Sequence, residues 1–181
     1  MRGWVGEFAD RNIGPIMLEW LKHLEYRDCD SAGFAIVDAS RHTARLRQIR
    51  TALTRWAIHG VPSERDSHAH FSASDVAIMQ IAVIENRDEL RVELDREGYS
   101  FSSETETEVI AHRIDRRLKS SCDLFEEVRA TVAEIEGANT LQVVSEHDPY
   151  RIIVAREGYP VVIGIGVGEN CVASDVAALL P

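Results

Sequence analysis

Cysteine is scarce and unpatterned: the chain holds only Cys29, Cys122 and Cys171, far apart and without a C-x-x-C. An odd number of widely spaced thiols excludes a disulfide framework, a zinc ribbon and a thioredoxin-like dithiol, and it points to a reducing compartment. Long apolar runs are missing too. Val161 to Val167 is the longest, with seven residues of which two are glycines, well short of the ~20 that a membrane-spanning helix needs. Glu7 and Asp10 interrupt the N-terminus before a secretory apolar stretch can form. Positive charge is in deficit: 20 Lys and Arg against 30 Asp and Glu leave a net −10 at pH 7. Such a surface repels phosphate backbones, and the short basic stretch from Arg41 to Arg55 reads as a solvated face. The expectation is a cytoplasmic protein with neither a nucleic-acid nor a membrane partner.

What is present is ordinary globular material. The 181 residues are 45% hydrophobic and 28% charged, a composition and length that suit one domain burying about 70% of its extended surface. Gly3 to Phe8 reads as a strand near the terminus. Ile13, Ile16, Met17, Trp20, Leu21 and Leu24 recur at helical spacing. Residues 32–37 and 76–84 read as buried strands, 43–58 as one or two strands, and 60–75 as a loop. Asn86 with Glu89, and Thr105 with Glu108, fit capping boxes that open two helices. Another helix follows from Leu124. After Gly137 the pattern turns to strands at 140–144, 151–155, 161–165 and 170–173. Strands segregated from helices predict an α+β fold, with two sheets and helices outside them.

Four constellations could carry chemistry. His68-Ala69-His70 is either a metal pair lacking a third ligand or a hydrogen-bonded loop, the latter being the plainer reading. Gly164, Gly166 and Gly168 resemble a phosphate loop in spacing, but too little chain follows for the helix and acidic residue of a dinucleotide site, so a tight strand-to-strand turn is expected. Cys171 in an apolar strand reads as a structural thiol. Arg55 beside Trp56, ahead of a Gly-Pro loop, either forks a carboxylate under an aromatic lid or simply ends a strand in solvent.

Taken with three other segments, Thr54-Arg55-Trp56-Ala57-Ile58-His59-Gly60 resembles one family's T-R-W-A-T-H-G. Leu24 to Gly33 resembles its L-E-Y-R-G-Y-D-S-A-G, Ser103 to His112 its S-E-T-D-T-E-V-I-A-H, and Gly168 to Asp175 its G-E-N-F-x-A-S-D. The family is the glutaminase (class II glutamine amidotransferase) domain of glutamine–fructose-6-phosphate aminotransferase, the glucosamine-6-phosphate synthase. The resemblance runs from residue 3 to 180. It implies the N-terminal-nucleophile hydrolase fold, a four-layer αββα sandwich, here shortened. It also implies a single domain over 1–181, with no sugar-isomerase half and no cofactor or metal.

The resemblance fails at the reacting centre. The family opens M-C-G-I-V-G, and its Cys supplies both the attacking thiolate and, as the exposed terminal residue, the α-amine base. Here the opening is Met1-Arg2-Gly3-Trp4-Val5-Gly6, so Arg2 holds the nucleophile position. A guanidinium cannot form a thioester. The family's V-H-N-G-I-I-E-N puts an Asn side chain and a Gly N–H in the oxyanion hole; Ile81 and Ala82 stand at those places. Loss of one such donor costs about 10²–10³ in rate. By the same resemblance Arg55 grips the substrate α-carboxylate, Trp56 and His59 keep the glutamine loop, and Glu106 replaces the Asp that accepts the α-ammonium. The implied function is a hydrolytically inactive module binding glutamine or glutamate weakly. A working amidotransferase subunit that supplies ammonia for glucosamine-6-phosphate synthesis is the first alternative. A structural partner of a full-length synthase, or a homo-oligomer, is the second.

Overall fold

A computed structural model describes residues 3–9, 14–24, 31–38, 48–55, 69–72 and 75–180. Nine strands are described in two antiparallel sheets. The first sheet has the order β2-β3-β1-β9-β8, built from β1 (Gly3–Ala9), β2 (Ser31–Asp38), β3 (Gln48–Arg55), β8 (Val162–Ile165) and β9 (Glu169–Ala173). The second has the order β4-β5-β6-β7, from β4 (His70–Ser72), β5 (Val76–Ala82), β6 (Asn139–Ser145) and β7 (Asp148–Glu157). Helix α1 (Gly14–His23) precedes β2. Helices α2 (Arg87–Arg96), α3 (Glu106–Leu118) and α4 (Leu124–Val132) lie between β5 and β6 in sequence.

Side-chain alternation along the strands explains the layering. On β5, Val76, Ile78 and Ala82 face the helices, joining Leu94 of α2, Val109, Ile110 and Ile114 of α3 and Val128 of α4. Ala77, Met79 and Ile81 face the other way, joining Trp4 of β1, Val144 of β6 and Val172 of β9 between the sheets. A third cluster, with Val5, Met17, Leu21 and Ala173, seats α1 outside the first sheet. With both faces covered, every residue of β5 and of β6 is buried, which is why their sequences lack the clean alternation of a half-exposed strand. The sheets approach closely where Gly6 meets the amide of Gln142: a Cβ at Gly6 would collide with it. The layers are therefore helix, sheet, sheet, helices, in accord with the α+β expectation.

Local departures from the sequence reading have physical causes. The segment 60–75, read as a loop, contains β4, whose buried His70 and Ser72 are polar and so carry no hydrophobic signal. The strand read as 76–84 ends at Ala82, although the Val83 and Glu85 N–H groups still bond the carbonyls of Ala138 and Glu136 in the register of β5 on β6. Neither capping box forms. Asn86 makes no cap bond; its side chain clamps the chain after α4, donating to the Glu134 carbonyl at 2.7 Å and accepting from the Glu136 N–H at 3.1 Å. The glycine-rich segment 164–168 is the expected turn: β8 and β9 pair directly, and Gly168 adopts φ +78°.

Candidate functional site

The C-terminal end of β5, the turn after it and the first turns of α2 and α3 surround a cavity of about 220 Å³. Ala82, Val83, Ile84, Glu85, Arg87, Asp88 and Glu106 line it. Two of the residues singled out in the sequence, Ala82 and Glu106, thus meet in one cavity although they are far apart in the chain. Both are buried. Ile81 does not join them. It lies on the opposite face of β5, packed between the sheets with the fully buried Trp4. The cavity wall carries three carboxylates and one guanidinium. That guanidinium is engaged, since Arg87 donates through Nε to Asp88 at 3.0 Å and through Nη1 to the Glu104 carbonyl at 3.1 Å. A wall with this balance favours a cationic guest, and a carboxylate at the first residue of a helix is itself favoured by the helix dipole.

The loop leading into α3 is held by a polar network. Glu108 accepts four hydrogen bonds: from the N–H and the hydroxyl of Ser102 at 2.8 and 2.7 Å, and from the N–H and the hydroxyl of Ser103, both at 2.7 Å. Ser103 and Thr105 hydroxyls are 2.9 Å apart, and the Thr105 hydroxyl is 2.9 Å from Nε2 of His70 on β4. Arg91 Nη1 donates to the Ser103 carbonyl at 3.2 Å. Burial works to raise the Glu108 pKa, but the four hydrogen bonds outweigh it and hold the carboxyl below its ordinary value. His112, one turn along α3, contacts Ser72 through Nδ1 at 2.9 Å and the Ser100 carbonyl through Nε2 at 3.2 Å. Its burial lowers its pKa, despite Glu108 at 3.8 Å.

The N-terminal end of β1 lies beside the end of β3 that carries Arg55. Gly3 pairs with Thr54, and Arg55 pairs with Ser31 of β2. Ser174 clips this end of β1, accepting from the Trp4 N–H with its hydroxyl and donating its own N–H to the Trp4 carbonyl, both at 3.0 Å. Arg2, Trp56 and His59 lie outside the described residues, as do Ile58, His68 and Cys29. Of the H-x-H pair, His70 is described, and it is hydrogen-bonded. Among the described residues no group of three His, Cys, Asp or Glu side chains is placed to hold a metal. Cys171 is a free, half-buried thiol pushed up in pKa by burial and by the nearby Glu7 carboxylate, so it rests protonated.

Sequence reasoning missed the roles of Ser102, Ser103, His112 and Arg91. A signal existed in S-S-E-T-E-T-E, where two consecutive serines precede a run of alternating carboxylates. Reading Glu108 as the partner of Thr105 obscured it.

Comparisons with known proteins bear on the family and the fold. The profile of the glutamine amidotransferase domain matches residues 54–181. The chain is 43% identical to the glutamine–fructose-6-phosphate aminotransferase [isomerizing] of Shewanella oneidensis, covering 100% of this chain and 33% of that protein. It is 44% identical to the one of Pseudomonas putida, over 99% and 32% respectively. The chain therefore spans about a third of the length of the curated relatives it matches. Among solved structures, the glutamine phosphoribosylpyrophosphate amidotransferase of B. subtilis superposes with a TM-score of 0.79 at 18% identity, over 98% of this chain and 42% of that one. The allosteric regulatory enzyme of purine biosynthesis also superposes at 0.79, with 20% identity, over 97% and 42%. The fold is the αββα sandwich of the N-terminal-nucleophile amidotransferases.

Proposed function

Because the chain belongs to the glutamine amidotransferase domain family, we propose that residues 1–181 form a glutaminase-like domain that has lost hydrolysis and keeps weak amino-acid binding, as a cytoplasmic binding or regulatory module. One observation carries the reading. The side chain at the oxyanion position, Ile81, is a hydrocarbon packed against Trp4 in the inter-sheet core, where it offers no donor. With Arg2 in place of the nucleophile, acyl transfer lacks its attacking group and the side-chain donor of its oxyanion hole.

Binding keeps a basis. Glu106 lines a cavity at the end of β5 and suits an α-ammonium, and Arg55 suits an α-carboxylate. The extra methylene of Glu106 relative to the family's Asp, and the hydroxyl missing at Ile58, weaken binding about ten- to a hundredfold. Arg2 adds a cation at the place in the chain where the family's nucleophile meets the substrate side chain, which favours glutamate over glutamine.

Ammonia release from glutamine, measured beside calorimetry with glutamine and glutamate, tests the proposal. No release above background is expected, together with weak binding that prefers glutamate and is lost in Arg55→Ala. Arg2→Cys alone should stay inactive, whereas adding Ile81→Asn and Ala82→Gly should recover some turnover. Glutamine turnover that survives mutation of all three cysteines would overturn the loss of hydrolysis. Absence of amino-acid binding at millimolar concentration would leave a structural partner of a full-length synthase. The second reading is a working amidotransferase subunit supplying ammonia for glucosamine-6-phosphate synthesis. It is favoured by the 43% identity that extends along the whole chain to a glutamine–fructose-6-phosphate aminotransferase.

A further inference from the structure

We infer that Glu108 is a positioning residue for the cavity: it fixes the Ser102–Thr105 loop and thereby sets Glu106 against the ammonium of an α-amino acid. The inference rests on the amino-acid-binding reading above and assigns a further residue to that site.

Glu108 is itself buried, and all its hydrogen bonds from Ser102 and Ser103 are at 2.7 or 2.8 Å. Two of the four donors are backbone N–H groups of consecutive residues, so one carboxylate fixes the orientation of two successive peptide planes. The carbonyls of the same loop are held by cations of α2. Arg91 takes the Ser103 carbonyl and Arg87 the Glu104 carbonyl. The loop is thus gripped by an anion on its N–H groups and by cations on its C=O groups. Its last residue, Thr105, is tied to His70 of β4 and directly precedes Glu106. Thr105 makes no side-chain cap bond to α3, so the head of the helix depends on this network and not on a conventional cap. A carboxylate that must meet an ammonium at hydrogen-bond distance tolerates little drift, and its support decides its effect.

The test compares glutamate with glutarate, which lacks the α-amine, by calorimetry on the whole chain. In Glu108→Gln the amide nitrogen faces donors on Ser102 or Ser103, and the loop loses part of its anchor. The expected result is a glutamate affinity reduced about tenfold, as for one lost charged hydrogen bond, with glutarate affinity unchanged. Ser103→Ala, which removes the hydroxyl link to Thr105, should reproduce the selective loss in smaller degree and serves if Glu108→Gln fails to fold. Glutamate affinity unchanged in both variants overturns the inference, as does an equal fall for both ligands, which a merely structural role would give. If the unaltered chain binds neither ligand, the amino-acid-binding reading itself has failed. Amide hydrogen exchange then decides the role of Glu108: faster exchange confined to residues 102–106 in Glu108→Gln supports it, and unchanged exchange there overturns it.

Discussion

The head of α3 and the space between the two sheets are both buried and both contain polar side chains, yet they differ in how far those groups are joined to one another. At the head of α3, Glu108, Ser103, Thr105, His70, His112 and Ser72 are all hydrogen-bonded, and the Thr107 hydroxyl is buried with no partner among the described residues. Between the sheets, the indole N–H of Trp4 and both amide atoms of Gln142 have no partner among the described residues. The first region sits beside the cavity with Glu106, and the second holds Ile81. Joined in a network, buried polar groups rigidify the structure; left unpaired, they cost stability. The contrast is thus between one connected network beside the cavity and isolated polar groups in a mainly apolar layer.

The largest effect that would test this contrast is a cavity in the inter-sheet layer. Trp4 is fully buried against Met79, Ile81 and Val172. Trp4→Ala should lower unfolding stability by about 3–5 kcal/mol, read as a shift in urea midpoint at constant slope. A loss below about 1 kcal/mol would mean that the two sheets are not locked together there, and the inter-sheet layer would no longer count as a core.

Glu108→Leu attacks the other region. It keeps a side chain of similar bulk but leaves the Ser102 and Ser103 donors without their acceptor. The expected loss is roughly 2–3 kcal/mol, the cost of stranding buried donors, again by urea titration. No measurable change would show that the loop finds other partners, and that its order does not depend on Glu108.

The pH dependence follows from the same residues. Glu108 has a folded-state pKa below its ordinary 4.5, so its contribution is complete above 4.5 and is lost as pH falls through the lowered value. His112 is also depressed, from 6.5. Protonation therefore favours the unfolded chain, and stability declines as pH falls from 6.5 towards the folded value. The groups around them are Asp115 and Lys119 further along α3, Ser72 on β4, and the rings of Tyr99 and Phe101. Both shifts act in one direction, so acid should loosen the α3 head first. Thermal melts across this range should show the fall beginning below 6.5 in the unaltered chain and flattened in His112→Gln. A profile unchanged in that variant would place the acid sensitivity elsewhere.

The fold was legible in the sequence to the extent that it rests on apolar periodicity. The run from Val76 to Ala82 and the stripe of Val109, Ile110 and Ile114 announce a buried strand and the helix packed on it. What periodicity cannot show is a strand buried through polar residues. His70 and Ser72 of β4 are buried because His112 and Thr105 satisfy them, and those partners are 40 and 35 positions away. The site was legible mainly by resemblance: Ala82 and Glu106 do line one cavity, whereas Arg2, Trp56 and His59 lie outside the described residues. The network through Glu108 was hidden for a local reason. The T-x-x-E spacing of a capping box is satisfied at Thr105 and Glu108, but the Ser102 and Ser103 N–H groups outcompete the Thr105 N–H for the carboxylate.

The smallest effect is the sharpest, because it should have the opposite sign. Gln142 is buried on β6 with its amide against Gly6, and neither amide atom has a partner among the described residues. Methionine has nearly the same length and bulk, so Gln142→Met keeps the packing and removes a desolvated amide. Leaving such a group unpaired costs about 1–3 kcal/mol, part of which is returned when it is replaced. Stability should therefore stay level or rise by about 1 kcal/mol in urea titration, whereas the comparable polar-to-apolar change at Glu108 lowers it. The two variants in one background give the contrast directly. Their mutations lie in different layers and share no hydrogen-bond partner, so the double variant should show the sum of the two single effects. A loss at Gln142 as large as that at Glu108 would show that its amide is engaged after all, and the inter-sheet layer would then be a second polar network.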